Sequence, residues 1–429
     1  MATQAGPRAT KGLYVPAKAI LIPLAGRVDV SELIPLINHP YSQRLLDTAQ
    51  LGLAWRVKPG GAHKRFEHAL GVLHNVRLAA QRLGIQDPAL FRALEVHAFI
   101  HDHGHGPFSH ETEQVLQENH KDIGRRHLHD MRSVISQVAD FDLVEALFTQ
   151  RDPLSALVHD KNLGADKIDY LARDAHHTGY ELGLNTSTIL TYLQFDGTTL
   201  GVEEKVKEEV IRFQHSFLTM YLRVYLDKTS KQLARLYQRA LTEHLLEHPE
   251  DSGSIWGMTD TQVMALLAHH PLMLRLHDRR LFKTTWVLKV EGCEREERIA
   301  HRYYSVMGLP EEAVRVLSAY LDDPQRVLAA EEALENYLHI PRHHLAIVQP
   351  NGYDSILPKD VALFSVHEKR FTSLFDRVPS HLRTLQEARQ RGFFIRVAVD
   401  PGYAEQCAQF DFLGYFESEL LPKAQVRVS

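Results

Sequence analysis

A run of ten residues constrains this chain more than any other: His101-Asp102-His103-Gly104-His105-Gly106-Pro107-Phe108-Ser109-His110. Upstream, Asp87 followed by Pro88 reads as a helix N-cap with proline at the first helical position. Apolar spacing through Leu94 and Ala98 carries that helix to about Asp102, and Gly104, Gly106 and Pro107 stop it. The adjacent His-Asp pair therefore stands at a helix end, where both side chains turn toward a common point. Imidazole and carboxylate together suit Zn, Fe or Mn, and a carboxylate also bridges to a second, harder ion.

Two ligands do not make a site. His68 lies 33 residues before His101, in a stretch to Leu83 whose Ala69, Leu73, Val76 and Ala80 repeat at helical spacing. Asp166 opens a later helix in Gly164-Ala165-Asp166-Lys167-Ile168-Asp169-Tyr170. Antiparallel helices bring all four together. Two His and two Asp, with open positions for water or phosphate, describe a hydrolytic metal site.

Residues 17–35 read as short strands with a turn near Gly26, and 40–55 as a helix ending near Trp55 before a loop rich in Gly and Pro. Further helices are expected over 131–148, 165–178 and 205–248. On the last, Phe213, Phe217, Met220, Val224 and Tyr225 line one face. Past residue 250 helices (260–277, 310–320, 327–337) mix with strand-like runs at 284–290, 344–348 and 393–399. The expected fold is mainly α: an N-terminal segment with short strands and helix (1–55), a helical catalytic bundle (56–250) and a mixed α/β C-terminal region (251–429).

The 429 residues suffice for two or three domains. A formal charge of −5 gives no global basic field for nucleic acid or membrane, although a local basic pocket stays open. Two distant cysteines, Cys293 and Cys407, exclude a disulfide scaffold or a CxxC zinc site and fit a reducing cytoplasm. Met1–Pro16 is polar and has no apolar core of signal-peptide length, and no apolar stretch approaches a membrane span. Walker-type GxxxxGK, GxGxxG and HExxH patterns are absent.

Arg65-Phe66-Glu67-His68, then HDHGHGPFSH, then Asp166-Lys167-Ile168-Asp169-Tyr170 with Arg173-Asp174 resemble the HD superfamily of metal-dependent phosphohydrolases. They most resemble its deoxynucleoside triphosphate triphosphohydrolases, including the mammalian SAM-and-HD-domain enzyme and bacterial relatives. The resemblance covers residues 17–230 and fades beyond. It implies His68, His101, Asp102 and Asp166 as ligands of a divalent metal (Fe, Mn, Zn or Ni), with Mg or Mn accompanying the substrate. It implies His110 as general acid to the leaving sugar oxygen. Glu113, on the same helical face, would orient His110. His105 and His120 resemble the family's other active-site histidines. Arg65 and Lys167 would hold phosphates, Tyr170 and Asp174 the sugar, with Gln50 in the sugar-packing turn Gln50-Leu51-Gly52 and Tyr225 near the base. Taken alone, the aromatic face carrying Tyr225 reads as packing rather than base recognition, and Asp169 and His176-His177 as structural polar groups.

Two departures stand out. The family's phosphate-gripping arginine on the long helix is replaced here by Phe217, leaving Arg212 or Arg223 as substitutes. The mammalian enzyme's guanine-reading regulatory residues correspond to Asn38, Gln43 and Leu46, of which only Gln43 is kept. The implied activity is metal-dependent hydrolysis of a dNTP to deoxynucleoside and triphosphate, by a cytoplasmic homo-oligomer (dimer or tetramer). The alternatives are action on nucleoside monophosphates or single-stranded nucleic acid ends, or a non-catalytic nucleotide sensor.

Overall fold

The computed structural model describes residues 18–294, 304–350 and 352–425, so the Met1–Pro16 stretch lies outside the described residues. Strands β1 (Ala19–Ile22) and β2 (Gly26–Asp29) form an antiparallel hairpin. The body is helical. Helix α1 (Arg65–Arg82) packs on α2 (Pro88–Ile100) and on α6 (Ala165–Thr178). Leu70, Leu73 and Val76 of α1 are fully buried, each large side chain contributing roughly 1.5–3 kcal/mol. Asp87 caps α2 by accepting from Ala89 N at 2.9 Å. Between these lie α3 (His110–Leu116), α4 (His120–Asp130) and α5 (Phe141–Phe148).

Several expected helices are broken. Residues 40–55 hold only one short helix, Pro40–Arg44, followed by 3-10 turns. The break lets Ala49 pair with Lys64 and leaves Gln50-Leu51-Gly52 as a turn. The 131–148 stretch contains two helices, Arg132–Ile135 and α5, separated where Asp140 caps the second. The long helix over 205–248 is also two: α7 (Lys207–Met220), a π turn at Tyr221–Tyr225, and α8 (Lys228–Glu247). Asp227 caps α8 by accepting from Thr229 N and Ser230 N, a local signal that the continuous apolar face masks. Residues 260–277 split likewise into α9 (Asp260–Leu266) and α10 (Pro271–His277), with Pro271 as the second start.

Two sheets complete the fold. One has the order β6-β5-β10-β7, built from Lys283–Val290 (β5), Ser305–Leu309 (β6), Leu345–Val348 (β7) and Ile395–Val399 (β10). It is covered by α8, α11 (Glu311–Leu321), α12 (Pro324–Tyr337) and α13 (Pro379–Gly392). The other has the order β3-β4-β8-β9: Leu193–Phe195 (β3), Leu200–Glu203 (β4), Ala362–Ser365 (β8) and Arg370–Ser373 (β9). Here β4 and β8 pair in parallel, so chain from beyond residue 250 finishes a sheet begun before it. The hydrophobic cores interleave in the same way. Val361, Leu363 and Leu374 join the helical core, while Leu53, Phe108 and Leu218 join the core around β5. Among the described residues no helix is long and apolar enough to cross a membrane.

Candidate metal centre and its cavity

Three helices deliver the candidate ligand set. His68 sits one turn into α1, His101 and Asp102 just past the end of α2, and Asp166 in the first turn of α6. His68 Nε2 lies 3.2 Å from Asp166 Oδ1 and 3.7 Å from Asp102 Oδ2. His101 Nε2 lies 3.4 Å from Asp102 Oδ1 and 3.8 Å from Asp166 Oδ1. Each imidazole uses its other nitrogen elsewhere. His68 Nδ1 donates to Asp169 Oδ2 at 2.8 Å, and His101 Nδ1 donates to the Ala98 carbonyl at 2.8 Å. Both rings are buried, and both Nε2 atoms make no hydrogen bond. Two buried nitrogens with fixed tautomers, aimed at two carboxylates, fit a divalent cation and the donor types Fe, Mn, Zn or Ni accept.

The electrostatics agree. Burial disfavours the His68 imidazolium, yet Asp166, Asp169 and Asp102 carry its pKa up to about 10. Burial would push the Asp102 carboxyl up, but His101, Arg65 and His105 hold it well below the usual carboxylate range. Negative charge is thus in excess at this point, and positive charge is what completes it.

A second histidine cluster abuts the first. Glu113 on α3 accepts from His110 Nδ1 at 2.7 Å and from His120 Nδ1 at 2.9 Å, which leaves Nε2 of each neutral ring as acceptor. The rings of His105 and His120 stack at 4.0 Å, and His105 Nε2 is 3.4 Å from Asp102 Oδ1. The loop that sets this arrangement is strained: Phe108 and Ser109 both hold positive φ, at 50° and 58°. Asp260 pins it by accepting from Phe108 N and Ala49 N, each at 2.7 Å. Ser109 Oγ donates to the Ala49 carbonyl and accepts from Arg65 Nε. Gly104 is required because a Cβ there would stand 1.9 Å from the His120 carbonyl oxygen.

These groups open onto one cavity of about 770 Å³. It gathers every residue the sequence singled out for the site except His68, which lies beneath the wall. Arg65 is buried and its guanidinium is spent on Asp102 and Ser109, so it neutralises a ligand carboxylate as well as facing the cavity. Lys167 lies with its ammonium 3.7 Å from the Phe217 ring centroid. Burial lowers its pKa to about 8 against the pull of Asp166 and Asp160. Asp174 accepts from His63 Nε2 at 2.8 Å and from Tyr225 Oη at 2.6 Å, which the π turn brings round. Neither proposed substitute for the absent arginine reaches the cavity: Arg212 is exposed and paired with Glu209, and Arg223 is exposed. Asn38, Gln43 and Leu46 lie on the surface, and Gln43 Nε2 donates to the Ile37 carbonyl.

Sequence reasoning missed Lys121, His159, Lys161, Tyr221 and Lys359 of the lining, and Asp260 behind it. His159 precedes the Asp166 helix by one loop, a nearness the sequence offered. Lys359 comes from the C-terminal region, with no local motif to mark it. A third group, Glu243, His270 and His343, also brings potential ligand atoms together. There His270 Nδ1 accepts from Leu272 N, so Nε2 carries the proton and donates to Glu243. Arg239 donates to the same carboxylate, and the cluster reads as a structural knot.

Comparison with known proteins follows this geometry. Residues 65–174 match the family described as HD domain, and residues 210–310 that described as HD associated region. The chain thus carries a match to the HD domain and resembles the HD phosphohydrolases. An uncharacterized protein of Methanocaldococcus jannaschii is 28% identical over 257 residues, 58% of this chain and 55% of that one. The deoxynucleoside triphosphate triphosphohydrolase SAMHD1 of Homo sapiens is 26% identical over 211 residues, 38% of this chain and 34% of that protein. The chain thus spans about half the length of the curated relatives it matches, or less. Among solved structures, a hypothetical protein from Aquifex aeolicus aligns with a TM-score of 0.68 at 23% identity, covering 92% of this chain and 99% of that one. A phosphohydrolase from Bacteroides thetaiotaomicron aligns at 0.67 and 20% identity, covering 89% and 100%. At these identities the structural likeness speaks for the fold.

Proposed function

We propose that this chain is a metal-dependent phosphohydrolase that cleaves a deoxynucleoside triphosphate to deoxynucleoside and tripolyphosphate. The observation that carries the reading is the meeting, in one cavity, of the His68–His101–Asp102–Asp166 set with the Glu113-held pair His110 and His120. When bound, a divalent cation would polarise a phosphoryl oxygen and lower the pKa of a water. The chain's own residues do the rest. Water adds to the α-phosphorus, the bond from phosphorus to the 5′-oxygen breaks, and His110 gives its proton to that departing oxygen. Glu113 keeps the His110 ring oriented and supports its charged form. Lys167 and Arg65 offset the growing negative charge. Tyr170, and Asp174 with its partner Tyr225, flank the sugar. The likeness to SAMHD1, named a deoxynucleoside triphosphate triphosphohydrolase, supports the same substrate.

The test incubates purified protein with each dNTP and Mn, Mg or Co, and identifies products. Deoxynucleoside with tripolyphosphate supports the reading, and orthophosphate or a monophosphate rejects it. One observation favours a second reading: the apolar Phe217 stands where a phosphate clamp is absent. A nucleoside monophosphate or a single-stranded 3′ end needs fewer cations. Turnover of monophosphates or labelled oligonucleotides, without turnover of dNTPs, would select it.

A further inference from the structure

We propose that Lys359, delivered to the cavity by residues 355–360 of the C-terminal region, binds the substrate's phosphates beyond the one that reacts. This rests on the triphosphate reading above.

The cavity wall is not made by the helical body alone. Ser355, Leu357 and Lys359 line it from the C-terminal side. Their segment is fastened rather than draped. Gln214 of α7, only 1% exposed, donates from Nε2 to the Lys359 carbonyl at 2.8 Å. His381 of α13 donates to the Gln214 amide oxygen at 2.7 Å and fixes which way that amide faces. Asn162 donates to the Asp360 carbonyl at 2.8 Å. Asp360 Oδ1 accepts from Phe375 N at 3.0 Å, and Ile356 and Val361 are buried on either side. Buried amides from two separate helical-body elements thus hold the backbone of one exposed lysine at the cavity.

The side chain itself is held by nothing. Among the described residues, no carboxylate or other acceptor pairs with the Lys359 ammonium, while most other lining cations have partners. Arg65 is engaged by Asp102 and Ser109, and Lys167 rests on the Phe217 ring. Lys359 instead lines the same cavity as Lys167. Lys167 has Asp160 and Asp166 beside it on the cavity wall, whereas Lys359 has no acid paired with it and is left to meet an entering anion. An extended phosphate chain is an anion of matching shape. A chain of three phosphates would be met by Arg65 and Lys167 near the metal ligands and by Lys359 across the Phe217 wall. Because Lys359 is exposed and its backbone does the anchoring, its side chain can be removed without disturbing the fold.

The experiment measures binding of inorganic tripolyphosphate and of orthophosphate to the full-length chain by titration calorimetry. Wild type, Lys359→Ala, Lys359→Arg and the surface control Arg212→Ala are compared. Lys359→Ala is expected to weaken tripolyphosphate binding about tenfold while leaving orthophosphate unchanged. Lys359→Arg should bind much as wild type, and so should Arg212→Ala. Equal tripolyphosphate affinity in wild type and Lys359→Ala overturns the assignment, as does a wild type that prefers orthophosphate. The dNTP product assay is independent of this variant. Correct products together with an unaffected Lys359→Ala would sink the lysine and leave the proposed activity standing.

Discussion

His68 and His101 owe their readiness for metal to hydrogen bonds on the far side of each ring. Asp169 and the Ala98 carbonyl take the Nδ1 protons and leave Nε2 bare. His101→Ala or Asp102→Ala is therefore expected to lose metal and activity together. His110→Ala should keep metal and lose activity by roughly 10²–10⁴-fold. Metal analysis beside a rate assay separates the two classes, and an active His110→Ala would reject its acid role. Asp169→Asn should loosen metal by about 10- to 100-fold, read by competition with a chelator. The grouping of His68, His101, Asp102 and Asp166 beside His110 was legible because each sits in a short, distinctive string. Asp169 had read only as a structural polar group, since nothing in Asp166-Lys167-Ile168-Asp169 tells which ring lies opposite. That Glu113 serves His120 as well as His110 was equally hidden: the two are seven residues apart, with a left-handed Gln117 turning the chain between them.

A helix with a cap at one end and a Gly or Pro stop beyond the other was readable, as α2 shows. Helices joined by a continuing apolar face were not. The 205–248 stretch looks like one helix because Phe217 and Val224 serve the same core across the break. The break matters, since the π turn brings Tyr225 to Asp174. Asp260 shows another limit of local reading. Thr259 through Gln262 form a capping box, which marks a helix start. The first residue of that helix also anchors two loops more than 150 positions upstream. Asp260→Ala is expected to destabilise the protein by about 2 kcal/mol or more, because two buried N–H groups lose their acceptor. It should also slow turnover, because the Phe108–Ser109 loop loses its tether. Urea unfolding and a rate assay check both, and unchanged kinetics would show that the loop holds its shape unaided.

At the scale of the whole molecule, burial keeps several imidazoles neutral. Burial lowers His127 and His159 to about 4, and puts His97, His103 and His105 well below their ordinary value. A group whose folded pKa lies below its unfolded one binds its proton first in the unfolded chain. Its stabilising contribution is complete above about pH 6.5 and is lost as pH falls toward 4. Asp260 and Asp322, raised by burial to about 6, act in the opposite direction over part of that window, but the histidines outnumber them. Thermal midpoints should drop between pH 6.5 and 4.5. A profile flat to pH 4.5 would contradict the assignment of neutral buried histidines. Sequence texture conveyed a mainly helical fold with mixed sheets in the C-terminal region. It could not show that β8 would return to pair with β4, because parallel neighbours so distant leave no local trace. That pairing sets a timetable for synthesis. From Glu203 to Ala362 is 159 positions (362 − 203). At ordinary elongation of about 5–20 residues per second, the β4 edge waits roughly 8–30 s for its partner strand. For that interval the nascent chain carries an unpaired edge and a half-built cavity wall, the period in which a ribosome-bound chaperone has most to protect.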